Sequence, residues 1–420
     1  MSSTGEQVWY HVDVNSAYLS WTAAYRVCIL GEDLDLRGIP SVIGGSEADR
    51  HGIVLAKSGP AKRYGIRTGE TLAEARCKCP GLVILPPDYN LYVSCSRALV
   101  ELLRKYSPYV HQYSIDEAFC QVEGTRGLWG THTAFAHQLK EEIYRELGFT
   151  VNIGVSDNKM LAKMASEFQK PDQVHTLFTG EIERKMWPLP VSRLFWAGPA
   201  TVRKLGALGI RTIGELAAAD LELSKRHLKK QGEFIWNYAN GRDVSPFLRE
   251  LPRNKGYGNS MTTPCDVTDR ETAGQVILSL TETVCARLRA DGMEAACVGI
   301  SITDREFFHS SRQTTLISAT DTTLEIYEAA CSLFDSLWNH SPIRQIGVHT
   351  GKVSPKGHYQ YQLFDKGLHD KYSRLDTAVD EIRKRYGEDC VQRAVFMGNQ
   401  ISHMSGGIDK VKRTGVTKAV

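Results

Sequence analysis

His11-Val-Asp-Val-Asn-Ser-Ala-Tyr18, read with the residues that lead into it from Val8, decides the fold. Val8, Tyr10, Val12 and Val14 fall on one face of an alternating segment, and Trp9, His11 and Asp13 on the other. Period-two alternation is the mark of a strand. Asp13 therefore stands at the C-terminal end of that strand, turned away from its apolar side. Ser16 is a residue type that caps helices, so a helix is expected from about Ser16 to near Gly31.

Outward from this strand, residues 31–75 are rich in glycine and charge and read as a small subdomain. Order returns near Pro80. A short strand is expected at Leu82–Leu85, a helix at Asn90–Tyr106, a strand or hairpin at Tyr113–Val122 and a helix at Phe135–Leu147. A strand at Thr150–Val155 and a helix at Lys159–Phe168 follow. This β-α-β-β-α-β order, with one long insertion, predicts an antiparallel sheet covered by helices. Residues 188–240 read as all-helical, and 241–259, with Gly241, Pro246, Pro252, Gly256 and Gly258, as a linker. A second mixed unit follows: Val276, Leu280, Val284 and Leu288 share a helix face, and Val298, Ile300 and Ile302 alternate on a strand. Ile326, Ala330, Leu333 and Leu337 mark another helix, and Arg344–Val348 a closing strand. One more helix, Ser373–Tyr386, and a loose polar end complete the chain.

The 420 residues are 42% hydrophobic and 24% charged, an ordinary globular composition. No apolar run reaches the roughly 18 residues of a membrane span, and the first residues lack the basic and apolar regions of a signal peptide. Ten cysteines without a CxxC pair argue for reduced thiols in a cytoplasmic protein. The net charge is only +3, yet Arg184–Lys255 holds 14 Lys/Arg against 6 Asp/Glu, a local +8 that leaves −5 for the remainder. A basic middle beside an acidic remainder fits a grip on a polyanion with chemistry elsewhere, or a solvated helical surface.

The acids carry the chemistry. Asp116-Glu117 lies in Tyr113-Ser-Ile-Asp-Glu-Ala-Phe119, a strand-like and otherwise apolar segment. Adjacent acids there need a compensating cation or a wet site; alone, the dipeptide also reads as an exposed turn. A strand-end Asp facing an Asp-Glu pair on a neighbouring strand is a geometry for two Mg²⁺ ions, which take carboxylate and phosphate oxygens and clamp a phosphoryl transfer. No Walker loop, HExxH or GxSxG is present.

Together, His11–Tyr18 and Ser114–Phe119 resemble the palm of the Y-family (DinB/UmuC-type) translesion DNA polymerases. Ile43-Gly-Gly45 and Pro60-Ala-Lys-Arg-Tyr-Gly65 resemble the fingers of that family. Asn152-Ile-Gly-Val-Ser156, Leu161-Ala-Lys-Met-Ala165 and Lys170-Pro171 resemble the rest of its palm. The likeness covers about residues 8–350, in order. It implies an α+β multi-domain fold: a ferredoxin-like palm with fingers, a helical thumb with a helix–hairpin–helix, and a βαββαβ little finger. The implied boundaries are palm 1–18, fingers 19–76, palm 77–180, thumb 181–243, linker 244–258, little finger 259–352 and a tail 353–420.

The resemblance implies a template-directed, error-prone polymerase that adds dNTPs to a primer 3′-OH with two Mg²⁺ ions and bypasses damaged bases. Asp13, Asp116 and Glu117 match the catalytic metal ligands, with the Val14 carbonyl completing the shell. Tyr18 matches the steric gate against ribonucleotides; Lys62, Arg63 and Lys170 match triphosphate contacts. Asn15 replaces a frequent second Asp, Gly59 a frequent aromatic, and Asp172-Gln173 the usual Asn-Gly. Phe195-Trp-Ala-Gly-Pro-Ala-Thr201 and the following Arg203–Leu216 resemble the helix–hairpin–helix. Gly198 and Ala200 are expected to keep the hairpin slim, and the N–H groups of Gly198, Ala200 and Thr201 to meet DNA phosphate. Thr212 and Glu215 are expected to form a capping box. Arg305 and Arg312 flank a strand turn and are expected on template phosphates. Gln360-Tyr-Gln-Leu-Phe364 resembles a sliding-clamp peptide, with Gln360, Leu363 and Phe364 as its anchors. The expected partners are primer–template DNA, dNTPs and the clamp, with no membrane, for a monomer. A catalytically impaired DNA-binding scaffold and another two-metal palm enzyme, such as a nucleotide cyclase, remain the alternatives.

Overall fold

The structure is a computed structural model. It describes residues 7–46, 50, 52–122, 130–244, 254–357, 368–397 and 401–404. The chain forms two compact units: residues 1–44 with 54–248, and 45–53 with 249–418.

In the first unit, β1 (Val8–Val14) is buried along its whole length. It lies at the centre of a five-stranded sheet, between β6 (Glu117–Val122) and β7 (Val151–Ser156) and antiparallel to both. β5 (Tyr109–Gln112) pairs outside β6, and β8 (Val174–Thr176) runs parallel to β7. The apolar face of β1 packs under two amphipathic helices, α4 (Tyr89–Arg104) and α5 (His132–Leu147), with Tyr92, Leu99, Phe135 and Leu139 in the shared core. A central strand buried on both faces fixes its register, because a one-residue slip would turn every side chain to the wrong side. The opposite face lies under α6 (Lys159–Ser166), which Asn158 caps by accepting from the Leu161 N–H at 2.9 Å. Helix and sheet touch here because position 154 has no side chain: a Cβ on Gly154 would collide with the Ala162 carbonyl.

Several expectations are corrected. Ser16 does not cap the first helix: its backbone is left-handed (φ 51°) and its side chain makes no capping bond. That helix, α1 (Ala17–Ala24), gives way to a π-helical turn at Tyr25–Ile29 rather than running to Gly31. Asp116 precedes β6 and belongs to the turn, not the strand. The inserted subdomain forms a small sheet from β2 (Ser41–Gly44), β3 (Val54–Lys57) and β4 (Val83–Leu85), with α2 (Gly59–Arg63) and α3 (Leu72–Lys78). The helical region contains α7 (Pro199–Ala207), α8 (Ile213–Ala218), α9 (Leu221–Leu228) and α10 (Lys230–Ala239), around a core that includes Leu205, Ile213, Leu216 and Ile235. α7 and α8 are joined by a turn at Leu208–Ile210, where Gly209 takes a left-handed φ of 81°. Gly198 caps the start of α7 and Ala200 lies in its first turn, the helix start expected to follow the hairpin. The Thr212–Glu215 capping box forms as expected.

The second unit is a four-stranded antiparallel sheet in the order β11 (His309–Thr320), β10 (Met293–Asp304), β12 (Ile343–Pro355), β9 (Gly256–Val267). Helices α11 (Arg270–Ala290) and α12 (Thr323–Leu337) cover one face. Gly256 and Gly258 therefore lie in a strand rather than in a linker. The tail is not loose as far as it is described. α13 (Leu368–Tyr386) begins five residues earlier than its periodicity predicts, and Phe396 and Ile401 join the core of this unit. The clamp-like peptide Gln360–Phe364 lies outside the described residues.

Candidate active site

Three elements deliver the acids. Register sets Asp13 of β1 opposite Glu117 of β6 and, on its other side, opposite Asn152 of β7. Glu167, just past α6, joins them: oxygens of Asp13, Glu117 and Glu167 all lie within 4.8 Å of one another. Asp116 is held separately. The Ser114 hydroxyl donates to its Oδ1 at 2.7 Å, and its backbone carbonyl accepts from the Val14 N–H at 3.0 Å. The two backbones expected to frame the ions are thus in direct contact.

Two lysines face these acids. Lys170 Nζ sits 2.9 Å from Asp13 Oδ1 and 2.8 Å from Glu167 Oε1, with about a third of its side chain exposed. Lys163 Nζ lies 2.6 Å from Glu117 Oε2 and is 7% exposed. Burial pushes Asp13 up to about 7 against the pull of Lys170. Burial also works to raise Glu117, but the His11 ring and the Lys163 ammonium beside it outweigh this and hold its carboxyl well below the usual range. Burial pushes His11 down to about 4, so its ring is neutral at pH 7. Its Nε2 stands 3.5 Å from Glu117, beyond a good hydrogen bond, so Lys163 is the partner that keeps Glu117 ionised. Four carboxylates against two ammonium groups leave an excess of negative charge. Hard oxygen donors in that excess fit Mg²⁺.

The turn after α6 is pinned from the sheet. Asn152 Nδ2 donates to the Ser166 and Gln169 carbonyls at 3.0 and 2.6 Å, and its Oδ1 accepts from the Gln173 N–H. This places Glu167 and Lys170 beside Asp13. Asn15 turns the other way: it is buried, and its Nδ2 reaches Thr150 Oγ1 at 3.3 Å. Its difference from an Asp therefore concerns packing at the strand end rather than the acid cluster.

Tyr18 is half-buried in the first turn of α1. Its ring stacks on Tyr92 (centroids 4.4 Å, 9° between planes) and meets the edge of Tyr89 at 6.1 Å. A ring clamped this way makes a rigid wall. Lys62 and Arg63 are exposed at the end of α2, and a Cβ on Gly59 would meet only open space. Gly198 and Ala200 are exposed and Thr201 half-buried at the start of α7. In the second unit, Arg305 is exposed, 4.0 Å from Asp266, and Arg312 donates to the Ser336 carbonyl at 3.2 Å.

Lys163, Glu167, His11, Asn152 and Ser114 join the site in addition to the residues expected from the sequence. Lys163 carried a signal. It is the one cation among Met160, Leu161, Ala162, Met164 and Ala165, and a lysine inside an apolar helix run requires a buried counter-charge.

Models of the impB/mucB/samB family match residues 12–167, and those of its C-terminal domain residues 254–363. The chain belongs to this family, the Y-family of DNA polymerases. It is 43% identical to a DNA polymerase IV of Clostridium acetobutylicum, over 93% of this chain and 98% of that protein. A DNA polymerase IV of Moorella thermoacetica is 41% identical, over 87% and 92%. Among solved structures, a Dbh–Dpo4 Y-family DNA polymerase chimera aligns with a TM-score of 0.69 at 20% identity, over 83% of this chain and all of that one, and shares the fold. Among the described residues no helix is long and apolar enough to cross a membrane, and all ten cysteines are free thiols.

Proposed function

We propose that this Y-family member is a template-directed DNA polymerase that extends a primer 3′-OH with dNTPs by a two-metal mechanism and continues past damaged template bases. The observation that carries this reading is the convergence of Asp13, Glu117 and Glu167 within 4.8 Å at the end of β1, next to the Val14–Asp116 backbone contact. Asp13, Asp116, Glu117 and the Val14 carbonyl would hold two Mg²⁺ ions, which would supply the positive charge that makes the 3′-OH acidic and neutralises the reacting phosphate. The 3′-OH gives up its proton to solvent, its oxygen bonds to the α-phosphorus, and the bond to the pyrophosphate oxygen breaks.

Each side chain then has a task. Lys163 keeps Glu117 anionic. Lys170, whose ammonium sits on Asp13, would contact the triphosphate once Asp13 held metal, while Lys62 and Arg63 bind the outer phosphates. The clamped ring of Tyr18 leaves no room for a 2′-OH. Gly198, Ala200 and Thr201, with Arg305 and Arg312, hold the DNA backbone without reading sequence. Gln360, Leu363 and Phe364 dock a sliding clamp, and the protein works as a cytoplasmic monomer.

Primer extension tests the reading. The protein extends a primed template with dNTPs and Mg²⁺ and inserts a nucleotide opposite an abasic site. Asp116→Ala abolishes extension while duplex binding persists; equal extension by that variant refutes the metal assignment. Duplex binding without extension by the unaltered protein would favour the scaffold alternative. Tyr18→Ala raises ribonucleotide incorporation, and an unchanged ratio refutes the gate. Deleting Gln360–Phe364 removes clamp stimulation and leaves unaided synthesis intact; surviving stimulation refutes the docking role.

A further inference from the structure

Lys163 is held by more than its carboxylate. Its Nζ lies 4.9 Å from the centre of the Phe195 ring and 5.2 Å from that of Tyr113, and those two rings meet edge to face at 6.2 Å. The ammonium thus sits in a cage of one carboxylate oxygen and two aromatic rings. Cation–π attraction strengthens when the cation is removed from water, as this one is. Tyr113 belongs to the same turn as Asp116. Phe195 comes from the segment that leads into α7, within the helical region.

The next residue is the unusual one. Trp196 has a left-handed backbone (φ 69°), which a bulky residue adopts only when its surroundings impose it. Here they do. The Gln231 side-chain amide donates to the Trp196 carbonyl at 3.0 Å, and the indole meets the Phe234 ring edge-on at 6.1 Å. Yet half of the Trp196 side chain is exposed, two residues before Gly198 opens α7. A ligand that touches the start of α7 therefore meets Trp196, and a change in its backbone moves the Phe195 ring directly.

We propose that Phe195 and Lys163 are positioning residues that couple nucleic acid held at the start of α7 to the metal-binding state of Glu117. The inference rests on the DNA-polymerase reading above. With Phe195 in place, the ammonium stays on Glu117 Oε2, and the carboxylate keeps one orientation toward the metal. When the Trp196 backbone shifts on DNA contact, the cage tightens and the site binds a divalent cation more strongly. Thermodynamic reciprocity requires that metal in turn tighten DNA.

The test uses the full-length protein, with Mn²⁺ as the probe and its free ion counted by electron paramagnetic resonance, with and without a primer–template duplex and without dNTP. In the unaltered protein the duplex is expected to tighten Mn²⁺ binding at least fivefold. Phe195→Leu, which keeps apolar bulk but removes the ring, should bind duplex within twofold of normal yet lose the tightening, and Phe195→Tyr should restore it. Lys163→Met should lose it as well, and the double variant no further. Gln231→Ala, at a half-buried position outside the hydrophobic core, should weaken the effect even if Phe195→Leu folds poorly. Single-turnover extension by Phe195→Leu should show a lower maximal rate with an unchanged dNTP KM. Full tightening in Phe195→Leu and Gln231→Ala overturns the coupling. Its absence in the unaltered protein, with metal and duplex both bound, overturns it too. Failure of that protein to bind Mn²⁺ or duplex at all would instead overturn the polymerase reading beneath it.

Discussion

The molecule buries charge in two places and uses different cations to do it. At the end of β1 the acids are met by lysines, Lys163 and Lys170. On α11 of the second unit they are met by arginines. Arg289 forks onto Asp380 with bonds of 2.5 and 3.0 Å and also reaches Asp376, which accepts from the Thr323 N–H at 2.7 Å. Arg393 and Arg383 close on Glu282. A guanidinium fixes the angle between partners through a planar fork, whereas an ammonium on a flexible stem is a point charge that another cation can displace. The arginine network fastens α13 to its unit. The partly solvated Lys170 site is suited to giving way to another cation, whereas the buried Lys163 stays on Glu117.

The largest expected effect breaks the lysine side. Glu117→Gln keeps shape and removes charge, and should slow extension about a thousandfold with little loss of stability. Single-turnover rates and a thermal melt check it; a rate within tenfold of normal would remove Glu117 from the reaction. Next comes the arginine side. Arg289→Ala leaves Asp376 buried and short of its cation, and should cost unit two about 3–5 kcal/mol. Hydrogen exchange over α13 reads this locally, and Arg289→Lys should recover only part, because the fork is lost. Lys170→Ala should differ in kind. The dNTP KM should rise about tenfold, equivalent to roughly 1.4 kcal/mol, while stability changes by under about 1 kcal/mol because the pair is partly solvated. A large fall in stability there would contradict the contrast. The smallest effect belongs to Arg270–Asp335, a half-exposed pair that links α11, the helix of Arg289, to α12. Its removal should shift unfolding by under about 1 kcal/mol and disappear in high salt.

The contrast also explains which parts of the fold the residues announced. β1 was readable because its alternation is strict, and the acid positions followed from it. The docking of α13 was not, because the face that it buries is polar. His369, Asp376 and Arg383 recur at seven-residue spacing, one helix face, and hydrophobic periodicity cannot register a stripe held by ion pairs. Asp116 was placed in a strand because the apolar residues around it suit one, while the Ser114 hydroxyl on its carboxylate draws the backbone into a turn. Glu167 and Lys170 became neighbours of Asp13 only through Asn152, whose two amide bonds span chain that is distant in sequence from β1. Asp13, Glu117 and Tyr18 are singled out by order and resemblance; Lys163 is marked by its place in an apolar helix run, but its partner Glu117 is visible only in the fold.

Gly154 has a reach beyond its own strand. It carries no charge and touches no acid, yet the missing methyl is what lets a whole helix settle low enough for one ammonium to arrive where it is needed. An alanine there would lift that helix like a shim under a lever. Chemistry in this protein is therefore open to loss by a substitution that leaves every ionisable group intact.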